Sequence, residues 1–276
     1  MAGQTPPPNY YGRQLLRQLK SLREQTGMTQ AEAGDRARIE FKKLSRIERK
    51  QLPSYHELVM LLDVYGVVSC DFAPYVSLWE LARARGWWAA YGLKDERYVR
   101  MEDEAAAKYE FQLGYVPALL QTEQYARAVF THSPEPRSDK AIESLVKVRM
   151  RQQERLVSDT PLQLHALLYE PVLRQGVDRT QLLRLVELAE LPNVTLQIVP
   201  QTDEVHAGLS GSLILLSFAD QSEPDIAFTE TLLGLSESQE AGTVSKVKCA
   251  LDQLARMAHS PQQTMALLQE MLGAVL

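Results

Sequence analysis

Cysteine is nearly absent. The chain has only Cys70 and Cys249 among its 276 residues, far apart and in no CxxC or Cys/His cluster. That argues against a disulfide framework and a zinc module, and both thiols are expected to be reduced. No signal peptide and no long apolar run are found, so a cytoplasmic protein without membrane contact is expected. Also missing are a phosphate-cradling glycine loop, a GxSxG elbow and an HExxH spacing. No enzyme activity, catalytic residue, cofactor or metal is therefore expected. An excess of positive charge is lacking too: the formal net charge is −5, which argues against a wholly basic nucleic-acid coat. No internal repeat is visible.

What is present is ordinary globular composition, 45% hydrophobic, at a length that favours two domains. The charge is unevenly spread. Met1–Gly66 holds eleven Lys and Arg against seven Asp and Glu, a net of +4, which leaves −9 for the remainder. A basic N-terminal module on an acidic body is the asymmetry of a DNA-binding domain fused to something else.

The chain is organised around TQAEAGDRARIEFKKLSRIE, Thr29–Glu48. Thr29 and Glu32 form a capping box for a helix running through Arg36. Ala37–Glu40 is a turn, and a second helix runs from near Glu40 through Glu48. Ile39, Leu44 and Ile47 are its apolar positions. Phe41, Lys42, Lys43, Ser45 and Arg46 are left facing outward, a set that suits the DNA major groove. Gln30, Arg49 and Lys50 would hold phosphates, while Phe41, Lys42, Lys43 and Arg46 would read bases. The alternative is a solvated charged face.

This stretch resembles the helix-turn-helix of lambda-repressor-like (Xre-type) regulators. The match lies at Thr29, Gln30, Ser45, Arg46, Ile47, Glu48 and Pro53. Arg38 stands where that family usually has the turn glycine, Glu40 where Ser or Thr usually caps the recognition helix, and Gly34 where Ala is usual. A carboxylate at Glu40 would lie near DNA phosphates and lower affinity, although it suits the helix macrodipole.

Residues 1–9 are Pro-rich and read as a disordered or extended arm. Residues 10–85 read as a five-helix helix-turn-helix domain, with helices at Tyr10–Thr26, Ser54–Tyr65 and Cys70–Ala84 flanking the central pair. Residues 86–276 read as a regulatory or partner-binding domain, helical first and α/β later. The fold class expected is thus mainly α, with a small mixed sheet covered by helices in the C-terminal part. Residues 95–112 are expected as a charged helix. Strands are expected at Leu162–Tyr169, Val194–Val199, Ser212–Phe218 and Ile226–Thr229, and closing helices at Ser238–Ala258 and Pro261–Val275.

In this second part, Trp87 and Trp88 suit either a ligand platform or the pinning of a domain junction. Glu170, Arg174, His206 and Glu230 lie at strand ends or in a Gly-containing loop, where α/β pockets form. Structural ion pairs are one alternative for these four, and metal binding or acid-base chemistry by the Glu/His/Glu set is another. The blocks GWWAAYG, VPALLQTEQYARAV, LYEPVLRQ, LPNVTLQIVP and HAGLSGSLILLSF are similar to those of an actinobacterial group of antitoxin-like regulators, with Ala118 departing from its usual glycine. That resemblance implies transcription regulation alongside a small protein encoded nearby, and it supplies no reaction. The function expected is a sequence-specific DNA-binding regulator, acting as a homodimer on double-stranded DNA. Its C-terminal domain would sense a partner protein or small-molecule effector. A protein-interaction module with weak or lost DNA binding is the alternative.

Overall fold

The computed structural model describes residues 8–93, 96–202, 204–231 and 234–274. The chain divides between Gly86 and Trp87 into two compact units.

The first unit holds α1 (Tyr10–Gln25), α2 (Gln30–Ala37), α3 (Phe41–Ile47), α4 (Tyr55–Val64) and α5 (Ala73–Arg83). Residues 1–7 of the expected arm lie outside the described residues. Asn9, also assigned to the arm, instead caps α1: its Oδ1 accepts from the Gly12 N–H at 2.9 Å. Leu15, Leu16 and Leu19 of α1 pack with Leu44, Ile47, Leu58, Leu61 and Leu62 in one core. Each of those positions follows the helical period, so the core was written as stripes. Complete capping boxes start α2 (Thr29 with Glu32) and α4 (Ser54 with Glu57). The Trp79 indole donates to the Pro53 carbonyl at 2.8 Å and ties α5 to the loop before α4.

The second unit opens with a short 3-10 turn, Trp87–Tyr91. Its elements are α6 (Arg97–Glu104), β1 (Ala107–Gln112), α7 (Glu123–Thr131), α8 (Asp139–Gln153), β2 (Gln163–Tyr169), α9 (Arg179–Ala189), β3 (Val194–Val199), β4 (Ser212–Ser217), β5 (Ile226–Thr231), β6 (Gly234–Ser238), α10 (Ala241–Met257) and α11 (Pro261–Ala274). One mixed sheet has the order β3-β2-β1-β4-β5-β6. β1, β2 and β3 are parallel, and β4, β5 and β6 are joined by antiparallel pairs. The chain therefore steps from β1 outward to β3, then returns to the other side of β1. That reversal is a topological switch point.

α10 covers one sheet face. Phe111, Leu167, Val199, Leu215 and Ala227 pack there against Val247, Leu251 and Leu254. The alternate residues of the same strands point to the opposite face. On that face the central strand carries Lys108, Glu110 and Gln112, all buried.

Two expectations are corrected. The helix expected over 95–112 is α6 followed by strand β1, with Asp95 outside the described residues. Lys108, Glu110 and Gln112 alternate with Tyr109 and Phe111, which is a strand period. The alternation is disguised because its polar set is buried rather than solvated. The helix expected from Ser238 begins at Ala241, and Ser238 instead ends β6, an edge strand not foreseen.

Candidate nucleic-acid interface

α2 ends at Arg38, which adopts the left-handed conformation at φ 54°. The Ile39 N–H then donates to the Gly34 carbonyl at 2.8 Å and turns the chain toward α3. A Cβ on residue 34 would sit 2.6 Å from the Ile39 carbonyl oxygen. The turn thus closes against the one position of α2 that has no side chain. The glycine that the turn itself lacks is replaced by Arg38, at a conformational cost of about 1–2 kcal/mol.

Ile39, Leu44 and Ile47 are buried, so α3 presents its other side to solvent. Phe41 is 54% exposed. With Glu40, Lys42, Ser45, Arg46 and Arg49 it surrounds a shallow groove of about 520 Å³. Arg49 donates to the Ser45 carbonyl at 3.0 Å and to the Ser45 hydroxyl at 2.8 Å, which aligns its guanidinium with the helix end. Lys50 is exposed. Glu40 occupies the N-cap of α3, yet its carboxylate makes no cap hydrogen bond.

Two of the expected contact residues are engaged elsewhere. The Lys43 ammonium is paired with Glu57 on α4. The Gln30 side-chain amide donates to Glu48 Oε2 at 2.7 Å. Glu48 also accepts from Arg23 Nε at 2.6 Å and Nη2 at 3.0 Å, a two-point pairing. Arg23 reaches on to the Met28 carbonyl at 2.8 Å. One buried carboxylate therefore holds α1, α2 and the end of α3 together.

The expected C-terminal pocket residues do not form one set. Glu170 and Arg174 approach each other at 3.8 Å, and Glu170 accepts from the Gln201 N–H at 3.0 Å. His206 lies edge-on to Phe111 and Tyr169, on the α10 side of the sheet. Glu230 is on β5 two residues beyond Phe228, whose ring meets Tyr98 from the opposite side. Strand alternation puts Glu230 on that opposite side too, so the sheet separates it from His206. The Trp87 indole donates to Asp103 at 2.9 Å, and Trp88 is buried within the same unit.

Residues 14–72 match a family described as a helix-turn-helix domain. Residues 95–270 match one described as a domain of unknown function, DUF5753. The chain belongs to the DUF5753 family. No curated protein and no solved structure matches it. The helix-turn-helix domain marks the N-terminal unit as that of a DNA-binding regulator. Among the described residues no helix is long and apolar enough to cross a membrane.

The DUF5753 domain also contains polar residues that sequence reasoning passed over. Lys108 Nζ lies 2.8 Å from Glu102 and 3.0 Å from Glu110, all three buried. Tyr98 donates to Glu102 at 2.9 Å. Burial pushes the Glu102 carboxyl up, but Lys108 outweighs it and holds the group below its usual range. The one available signal was the two-residue spacing of Lys108 and Glu110, with an aromatic between them.

Proposed function

We propose that this chain is an Xre-type, sequence-specific transcription regulator of the antitoxin-like group. It acts in the cytoplasm as a homodimer, with residues 10–85 binding double-stranded DNA and residues 86–276 responding to a partner protein or a small-molecule effector. The exposed side of α3 carries this reading: Phe41, Lys42, Ser45 and Arg46, continued by Arg49 and Lys50, project from a helix seated on a rigid core. Phe41, Lys42 and Arg46 read bases. Arg49, Lys50 and the start of α2 at Gln30 hold phosphates. Lys43 joins them only by leaving Glu57.

One recognition helix reads a few base pairs, too few to find one site in a genome. Two copies related by a two-fold axis would read half-sites about 34 Å apart. Light scattering should therefore give twice the 31.2 kDa chain mass. A monomer that protects a single half-site would refute the dimer.

Sequencing of genomic fragments selected by the purified protein supplies an operator, and fluorescence anisotropy then tests the contacts. Arg46→Ala should cost about 1–3 kcal/mol and relax base preference. Arg49→Ala should weaken all sequences alike and make the salt dependence shallower by about 0.9 in its logarithmic slope. If neither change alters binding, the recognition face is misassigned.

The second reading, a protein-interaction module with weak DNA binding, is favoured by the uncapped, exposed Glu40. Glu40→Ser removes a negative charge near phosphate and restores a preferred cap. Tighter operator binding, largest at low salt, is the expected result. Weaker binding would show that Glu40 itself contacts a base or orients a neighbouring cation. A wild-type protein that selects no sequence would leave the interaction reading in place.

A further inference from the structure

β4 starts beside the end of β1 and runs against it, so the segment joining β3 to β4 crosses the carboxyl end of β1. That is the switch point of the sheet, where open α/β folds place their ligands. The crossing segment is anchored. A Cβ on Gly208 would sit 2.6 Å from the Phe111 ring, so the backbone lies directly on that ring. The His206 ring is edge-on to Phe111 at 6.2 Å and to Tyr169 at 5.8 Å.

Opposite the segment stands the last turn of α10. A cleft of about 380 Å³ separates them, lined by Val205, His206 and Ala207 on one side and by Gln253, Leu254, Arg256 and Met257 on the other. His206 Nδ1 is buried and has no hydrogen-bond partner among the described residues. A buried polar atom left unpaired is costly, and a turn of the ring toward a ligand group would satisfy it. Arg256 is exposed, and no ion pair holds it among the described residues. Val205 is 90% exposed, an apolar side chain without cover at the cleft's rim.

We propose that this cleft binds a small carboxylate carried on a short apolar body. Arg256 pairs with the carboxylate, and His206 donates to it once its ring turns Nδ1, now shut against Gly208, toward the cleft. Val205, Leu254 and Met257 cover the apolar part. The proposal rests on the reading that the DUF5753 domain senses a ligand. Two sources share this chemistry, a free aliphatic acid and the C-terminal carboxylate of a peptide.

Calorimetry on the full chain tests it with hexanoate, hexanamide, and a leucine-ending tripeptide with a free or an amidated C-terminus. Both free acids should bind, with each amide at least about tenfold weaker, because the charge-assisted pair is lost. The tighter of the two acids identifies the source. Arg256→Gln should weaken acid binding about tenfold. This side chain is exposed, so its loss does not threaten the fold. His206→Gln should weaken it as well. Equal affinity for acid and amide, undiminished binding by Arg256→Gln, or no heat from any probe up to about 10 mM overturns the site. Operator anisotropy at saturating acid separates the two readings. Unchanged DNA affinity would discard the effector role and leave the site. A response to a partner protein without acid binding would do the reverse.

Discussion

Glu48→Ala will unfold the helix-turn-helix unit at temperatures where the native unit is intact. The Glu48 side chain is 2% exposed and that of Arg23 10% exposed. Removing the carboxylate leaves the buried Arg23 guanidinium with only the exposed Glu24 carboxylate, 3.6 Å from its Nη2, as counter-charge, and leaves the Gln30 amide without its acceptor. Losing one member of a buried pair costs about 3–5 kcal/mol. For a unit of this size that is a fall of roughly 15–30 °C in Tm. The hydrogen bond that Arg23 donates to Glu48 holds the guanidinium above its ordinary pKa, which has the same sign. Scanning calorimetry gives the loss. Glu48→Gln, which keeps an acceptor, should lose less. At low temperature, where the alanine variant is still folded, its operator affinity should stay near that of the wild type, since Glu48 faces the core and not the groove. A loss below about 1 kcal/mol would place the pair among the solvent-screened ones.

Lys108→Met should destabilise the DUF5753 domain by a similar amount, about 3–5 kcal/mol at neutral pH. The substitution retains volume and removes charge, so Glu102 and Glu110 are left as two buried carboxylates without an ammonium between them. The sign of the pH effect follows from the native shifts. Glu102 is lowered, so its contribution is present above the ordinary value of 4.5 and is lost as pH falls through the lower folded value. Burial pushes Lys108 down, but Glu102 and Glu110 outweigh it and raise the group. Its contribution is therefore present below 10.5 and lost as pH rises through the higher folded value. The wild-type network is intact across the range between. In the variant burial of the Glu102 carboxyl is no longer outweighed by Lys108 and favours its protonation, so the deficit should shrink from pH 7 toward pH 5. Urea unfolding at both values measures it. Adding Glu102→Gln and Glu110→Gln should recover most of the loss. A deficit that ignores pH, with no recovery in the triple variant, would sink this account.

The helix-turn-helix unit was legible because its information is local. Thr29 with Glu32 and Ser54 with Glu57 cap helices three residues away, and Leu44 and Ile47 share one stripe of a single helix. Gly27 and Gly66 follow α1 and α4 at positive φ, the conformation glycine supplies just past a helix end. The strands at Gln163–Tyr169 and Val194–Val199 were legible for the same reason: both are apolar over most of their length and bounded by turn residues.

Strand β1 was not legible, and the reason is chemical. A strand buried on both faces normally reads as a continuous apolar run. Here Lys108, Glu110 and Gln112 occupy one buried face because they satisfy one another and Glu102, which comes from α6. Such burial is tolerable only when partners arrive from elsewhere in the chain, and a local window cannot show them. Glu48 posed the same difficulty. It stands at a recognisable motif position, but its partners Arg23 and Gln30 lie 25 and 18 residues away.

Local order therefore determined the helices of the first unit, the caps of α2 and α4, the outward side of α3 and most strands of the second. Period and capping depend on neighbours within about one helical turn, and those are written consecutively. Only the tertiary structure decided that Lys43 and Gln30 are held by Glu57 and Glu48, that the sheet separates His206 from Glu230, and that Arg256 stands across a cleft from His206. Each of these is a relation between side chains on different elements. It is set by strand order and by which face a helix covers, and neither is carried by the spacing of residues along the chain.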